Sequence, residues 1–361
     1  MGMSDELGTI KLAAVQAASV HLDRDASVEK ACRFIHEAGK AGANVIGFPE
    51  GFIPAHPSWY TVRPATDLTT LGLSRKLFQN AVVIPSEATA RLATACRDAN
   101  ITAVVGLCEK RPDTTGTMFN TQLFIGADGT ILGKHQKLMP TVGERLVHTG
   151  GWGDTLQAFP APFGALSGMV CTENANPLAT ATIASYYPLV HVAAWPAFLS
   201  PAHELSDMIS AVSRGLAVTM GCYVINAAGV LDQATIDAYE VGDDVRKFLE
   251  KSKNRGFASI ISPTGRVLTE PLVTKDGEGI VYADVDLDAI MIPKLITDFA
   301  GHYNRPDVFS LTVNTSAPKL VTAPRNSGSD PIAPAPVEGA GLGGLSEDAR
   351  KVLRNMARSE S

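Results

Sequence analysis

The sequence predicts an α/β layered fold, and three features carry that prediction: apolar runs of strand length, helix-length segments between several of them, and two pairs of runs closed by turn residues. The first run, Ile10 to Val15, precedes SVEKACRFIHEAGKA, Ser27 to Ala41, in which Val28, Ala31, Cys32 and Ile35 recur at helical spacing behind Ser27 as N-cap. Asn44 to Phe48 reads as the next strand. SEATARLATACRDAN, Ser86 to Asn100, repeats the helical pattern, and Ile101 to Leu107 returns to strand length. Thr121 to Ile125 lies in a hairpin that turns at Ala127-Asp128-Gly129. Leu166 to Val170 is a strand that hands over to a helix from about Asn176, and a second hairpin, FASIISPTGRVLTEPL, turns at Pro263-Thr264-Gly265. This alternation argues against an all-helical or an all-β chain.

The 361 residues leave one large domain or two open, because α/β enzymes can use 250 or more residues as one unit. With 45% apolar and 19% charged residues the chain can bury a sizeable core. A formal charge of −6, without a dense Lys/Arg cluster, lacks the footprint that phosphate backbones require, so nucleic acid is not an expected partner. Cys32, Cys96, Cys108, Cys171 and Cys222 are odd in number and widely spaced, with no CxxC pair, which predicts neither a disulfide framework nor a metal site. The opening MGMSDELG carries an acidic pair where a signal peptide needs a basic region, and no stretch reaches the roughly 18 apolar residues of a membrane span. A reducing cytoplasm is the expected compartment. After about Asn314 the sequence turns to APKLVTAPRNSGSDPIAPAPVEGAGLGGL, which cannot bury a core. The folded domain is therefore expected over residues 1–314 and a tail over 315–361, with one short capped helix at Ser346 to Arg358.

Three residues stand at strand ends where chemistry can be built. Glu50 follows the apolar run ANVIGFP and enters the loop GFIPAHPSW, a setting expected to desolvate the carboxylate and raise its pKa toward that of a general base. Lys137 ends the second arm of the first hairpin, just before Pro140. Cys171 closes the run ALSGMV at a strand-to-helix junction, where helix N-terminal amides would favour the thiolate and could serve as oxyanion donors. The other four cysteines read as core fillers.

FPEGFIPAHP around Glu50, KHQKLMPTVGER around Lys137 and VCTENANP around Cys171 resemble the three signature segments of the nitrilase superfamily, in the same order and with fitting separations of 87 and 34 residues. GHYNRPDVFSL, residues 301–311, resembles the nitrilase branch in particular, and the likeness spans about residues 9–313. The resemblance implies an αββα four-layer sandwich of two sheets between helical layers. It implies Cys171 as nucleophile, Glu50 as general base and later proton donor, Lys137 as the cation for the tetrahedral species, and Glu144 as a second carboxylate that orients lysine and substrate. It also implies homo-oligomers, dimers or larger and in some members spirals, that pair across the layer following the nucleophile. No metal or organic cofactor is implied.

Many members differ at Gln136, Thr172 and Thr180, which bears on substrate class more than on chemistry. Trp59, Tyr60, Thr172, Trp195 and Phe198 are candidates for the pocket wall, with core packing equally open to the aromatic ones. The activity implied is hydrolysis of a nitrile to the acid and ammonia. An amidase or N-carbamoyl amide hydrolase, or an enzyme of cyanide hydration or hydrolysis, would use the same residues. A Cys/His hydrolase would need His135, His148 or His191 beside the nucleophile, a nucleotide enzyme would need a phosphate loop that GADGTILGKH does not match, and an idle sandwich kept for binding would need none of them.

Since the tail lacks apolar residues for a core, cutting the chain after residue 314 should leave a cooperatively folding domain while the size of the oligomer is free to change. Light scattering and thermal melts on both lengths would check this, and an unfolded short form would misplace the boundary.

Overall fold

A computed structural model describes residues 6–198 and 205–316. Its elements follow the predicted alternation: β1 (Thr9–Ala17), α1 (Arg24–Lys40), β2 (Val45–Gly47), α2 (Leu68–Asn80), α3 (Glu87–Ala99), β3 (Thr102–Lys110), β4 (Met118–Ile125), β5 (Ile131–Gln136), β6 (Phe159–Ala161) and β7 (Gly164–Val170). The chain continues through α4 (Pro177–Ala184), β8 (Val190–Trp195), α5 (Leu205–Met220), β9 (Tyr223–Gly229), α6 (Gln233–Ala238), α7 (Asp243–Ser252), β10 (Ser259–Ile261), β11 (Gly279–Asp286) and α8 (Met291–Ile296). The tail from residue 317 onward, with the helix expected at Ser346 to Arg358, lies outside the described residues.

Local chemistry explains the helix boundaries. The N-cap of α1 is Asp23, four residues before the expected Ser27, and its carboxylate accepts the Ala26 N–H at 3.0 Å. Ser27 is buried inside the helix and exchanges hydrogen bonds with the Val20 backbone at 3.1 Å instead. In α3 Ser86 is the N-cap residue, with the Thr89 hydroxyl accepting the Ser86 N–H at 2.9 Å while the Ser86 hydroxyl itself has no partner among the described residues, and Asn100 ends the helix in the left-handed region. The first hairpin joins β4 to β5. At the second, the turn forms but the far arm is reduced to an isolated bridge between Ile261 and Val267.

Two halves of sheet arise from the pairing. In one, β1, β2 and β3 run parallel, β4 and β5 follow antiparallel, and β11 lies antiparallel to β1. In the other, β7, β8 and β9 are parallel, flanked by antiparallel β6 and β10. Among the described residues the halves pair edge to edge where Gln16 and Ala17 meet Ala228 and Gly229. Elsewhere they stack: Leu12, Val104 and Phe124 from the first half share one apolar cluster with Val190, Val192 and Ile225 from the second. Outward faces are covered by helices, with Ile46 and Val105 under Ile35 of α1 and Leu92 of α3, and Met169 and Ala193 under Ile183 of α4 and Leu216 of α5. The result is the helix, sheet, sheet, helix layering that the resemblance implied. Among the described residues no helix is long and apolar enough to cross a membrane.

The stacking puts the ends of β2, β5 and β7 close together, and one glycine lets the first of these ends pass over its neighbour. A Cβ on Gly106 of β3 would lie 2.0 Å from the Pro49 carbonyl oxygen. Gly106→Ala should therefore displace residues 49 and 50, cost about 1 to 3 kcal/mol and lower the melting temperature by several degrees. Turnover should fall by more than about tenfold, since a shift of a fraction of an ångström moves Glu50. Calorimetry and rate measurement on this one variant would check both, and an unchanged melting temperature would show that the contact relaxes freely.

Candidate active site

Glu50, Lys137, Glu144 and Cys171, chosen from sequence, are brought together by the fold. The Glu50 amide donates to the Trp195 carbonyl at 3.3 Å, fixing the loop after β2 against the end of β8. Lys137 follows β5 directly, and its amide donates to the Asn120 carbonyl of β4 at 2.8 Å. Glu144 sits in a single helical turn, Val142–Leu146, whose entry Val142 has φ 48°, a costly value for a β-branched residue. Cys171 directly follows β7 with φ 57° and begins the turn Cys171–Ala175; the longer helix α4 starts only at Pro177.

The ammonium of Lys137, 1% exposed, lies 2.8 Å from Glu50 Oε1 and 2.6 Å from Glu144 Oε2. One side-chain amide ties the same carboxylates together, since Asn120 Nδ2 donates to Glu50 Oε1 and to Glu144 Oε1, each at 2.7 Å. Glu144 further accepts the Thr141 N–H at 2.8 Å and His148 Nδ1 at 3.1 Å. Glu50 Oε2 is buried and has no protein partner.

Protonation follows from this packing. Burial would raise the Glu50 carboxyl, but Lys137 and His56 outweigh it and hold it below its ordinary value. Glu144 is likewise driven well below the usual range against its burial, by Lys137 and His148. Burial works against the Lys137 ammonium, yet Glu50 and the other neighbouring anions raise it above an ordinary lysine. Burial and then Glu50 push the Cys171 thiol up, and Lys137 and the Thr172 amide do not offset them.

Two expectations are thereby corrected: the Glu50 carboxyl moves down because a cation sits 2.8 Å away, and Cys171 rests as a thiol because it is buried beside carboxylates. A buried thiol, an ionised carboxylate with one free oxygen and a fixed ammonium suit attack coupled to proton transfer.

His56, Lys137, Thr141, Glu144, Cys171, Pro196 and Phe198 border one small cavity. Of the aromatic wall candidates only Phe198 is among them. Trp59 is wholly buried beside Leu22, Leu77 and Tyr239, Trp195 lies in the core under α5 with its Nε1 donating to Asn226 at 3.1 Å, and the Tyr60 hydroxyl pairs with Ser74 at 2.8 Å. Thr172 pairs with the Thr141 hydroxyl at 3.1 Å, joining the turn of Cys171 to that of Glu144. Gln136, one residue before Lys137 and on the opposite strand face, donates to Glu109 at 2.9 Å and so does not reach the cavity.

The three histidines weighed as partners for Cys171 are engaged elsewhere: His135 with Glu173 at 2.8 Å, His148 with Glu144, and His191 with Asn174 at 2.9 Å. Burial drops the His191 pKa to about 3, so it is neutral.

Asn120 and His56 escaped the sequence reading. Their signals were present: Asn120 opens a run of three polar residues in a wholly buried strand, and His56 lies six residues after Glu50 in the same segment. The His56 Nε2 is 3.5 Å from Glu50 Oε1. Ligand atoms of Glu50, His56 and Glu144 lie within 4.8 Å of one another, a spacing that suits a cation, and the Lys137 ammonium is placed against both carboxylates.

The description carbon-nitrogen hydrolase belongs to a family model that matches residues 11–291. The chain belongs to this family. An aliphatic nitrilase of Rhodococcus rhodochrous is 36% identical over 312 residues, covering 85% of this chain and 80% of that protein. A nitrilase of Bacillus sp. (strain OxB-1) is 34% identical, covering 86% and 90%. Among solved structures, a carbon-nitrogen hydrolase from Helicobacter pylori G27 superposes with TM-score 0.62 at 20% identity, over 84% of this chain and 97% of that one, a likeness of fold.

In this carbon-nitrogen hydrolase, Lys137→Met removes the one cation between two buried carboxylates. Turnover should fall by at least about 100-fold. The melting temperature should drop as well, because stranding buried charge costs about 3 to 5 kcal/mol. A folded Lys137→Met enzyme with near-normal turnover would remove Lys137 from the reaction.

Proposed function

We propose that this carbon-nitrogen hydrolase converts an organic nitrile to its carboxylic acid and ammonia, with Cys171 as nucleophile, Glu50 as general base, Lys137 as electrostatic stabiliser and Glu144 as the residue that orients Lys137. The convergence of Cys171, Lys137 and Glu144 on one cavity, with the free oxygen of Glu50 beside them, carries the reading. Similarity to proteins named as nitrilases over most of their length supports the nitrile among substrates.

The steps follow from the groups present. Glu50 takes the Cys171 proton as sulfur bonds to the nitrile carbon, and returns it to nitrogen, giving a thioimidate. Lys137 and the Thr172 amide face the charge that develops. Water, losing its proton to Glu50, adds to the thioimidate; ammonia leaves and a thioester remains. A second water adds, the C–S bond breaks, and the acid leaves as the thiol recovers its proton. An amide or N-carbamoyl amide would enter at the tetrahedral stage, and cyanide would follow the same path with hydrogen in place of carbon, so these stand as second readings.

Self-association fits the surface. Leu178 of α4, Tyr186 just after it, and Val308 and Phe309 of the segment after α8 are 62%, 43%, 56% and 75% exposed along a groove of about 1350 Å³ that Val212 and Leu216 of α5 also line. We assign this face to pairing between copies, in the layer that follows the nucleophile. The five unpaired cysteines agree with a reducing, cytoplasmic setting.

Purified enzyme given a panel of aliphatic, aromatic and arylaliphatic nitriles with their matched amides should release ammonia and acid from at least one nitrile, and Cys171→Ala should release none. Turnover of amides alone would transfer the reading to an amidase, and inertness toward the whole panel would return it to a binding module.

A further inference from the structure

Lys137 and Cys171 come from opposite halves of the sandwich, β5 and β7, and their relative position must be set by something that spans the gap between the halves. One buried carboxylate does so. Glu173 Oε1 accepts the Leu138 N–H, one residue beyond Lys137, at 2.8 Å, and its Oε2 accepts the Val170 N–H, one residue before Cys171, at 3.1 Å. The same Oε2 receives His135 Nε2 at 2.8 Å, from β5 itself. The other ring nitrogen of His135 faces the Thr155 carbonyl at 3.1 Å, and a carbonyl can only accept. Both ring nitrogens therefore carry protons, and the pair is an imidazolium bound to a carboxylate, with side-chain exposures of 0% and 1%.

We propose that Glu173 and His135 form a positioning clamp that sets the distance between the Cys171 nucleophile and the Lys137 ammonium. Neither residue borders the cavity, so they act through the backbones on which the reacting groups ride. Burial opposes the charge on His135, and Glu173 more than offsets it. The hydroxyl contact between Thr141 and Thr172 is a weaker, partly exposed link across the same gap. The clamp rests on the reading that Cys171 and Lys137 perform the reaction, and it holds for a nitrile or an amide alike.

The test uses Glu173→Gln, His135→Gln and the double variant, each compared with the wild-type enzyme on whichever substrate the wild type turns over, so that a wrong substrate class does not count against the clamp. Rates are expressed per folded molecule, counted by the cooperatively melting fraction. Misplacement by a fraction of an ångström to one ångström should lower kcat by about 30- to 100-fold in each single variant while KM stays within about threefold. The double variant should lose no more than the worse single, because both residues serve one junction. A smaller folded fraction with normal kcat per molecule would make the pair merely structural and overturn the proposal. So would a loss carried by KM, or two losses that multiply.

Discussion

The site depends on one ammonium held between two buried carboxylates. Alone, either carboxylate at that depth would protonate, and the lysine alone would lose its charge. Together they keep their charges, and the Asn120 amide, bonded to both acids, stops them from moving apart. The cluster of Glu50, Glu144 and Lys137 carries a net charge of minus one, and that excess sits next to Cys171. Burial first, and this charge second, keep the thiol protonated: a thiolate would add a second negative charge to the same enclosed space. In the proposed reaction, activation of Cys171 is then coupled to the arrival of an electrophile.

Layering supplies the geometry for this cluster. Parallel strands from two stacked half-sheets end at the same edge, so residues 87 and 34 positions apart in sequence meet where the strands stop. The half-sheets are joined edge to edge over only two residue pairs, and the rest of their alignment comes from interdigitating apolar side chains. A packed interior resists deformation. Polar links at the strand ends then make the finer adjustment.

Much of this was legible in the sequence, for identifiable reasons. Strand and helix alternation was readable because apolar period and length are local properties. Asp23 was missed because the helix begins before its apolar stripe does. Glu50 and Cys171 stood out by their place at the ends of apolar runs, and Lys137 and Glu144 by resemblance. The direction of the shifts at Glu50 and Cys171 was not readable, since flanking residues report burial but not which charge arrives from another strand. Trp59 and Trp195 were left open between pocket wall and core for the same reason, since proximity in sequence to Glu50 or to a strand end does not say which side of the layer a ring occupies, and both lie in the core.

The left-handed backbone at Cys171 sets two demands on that position against each other. A cysteine there pays for its Cβ in conformational strain, whereas glycine adopts φ 57° freely. The substitution that would relax the turn is one that deletes the sulfur. Under the proposed reaction, ease of folding and reactivity thus make opposite demands on residue 171, and a Cys171→Gly protein would relax its turn and lose its nucleophile.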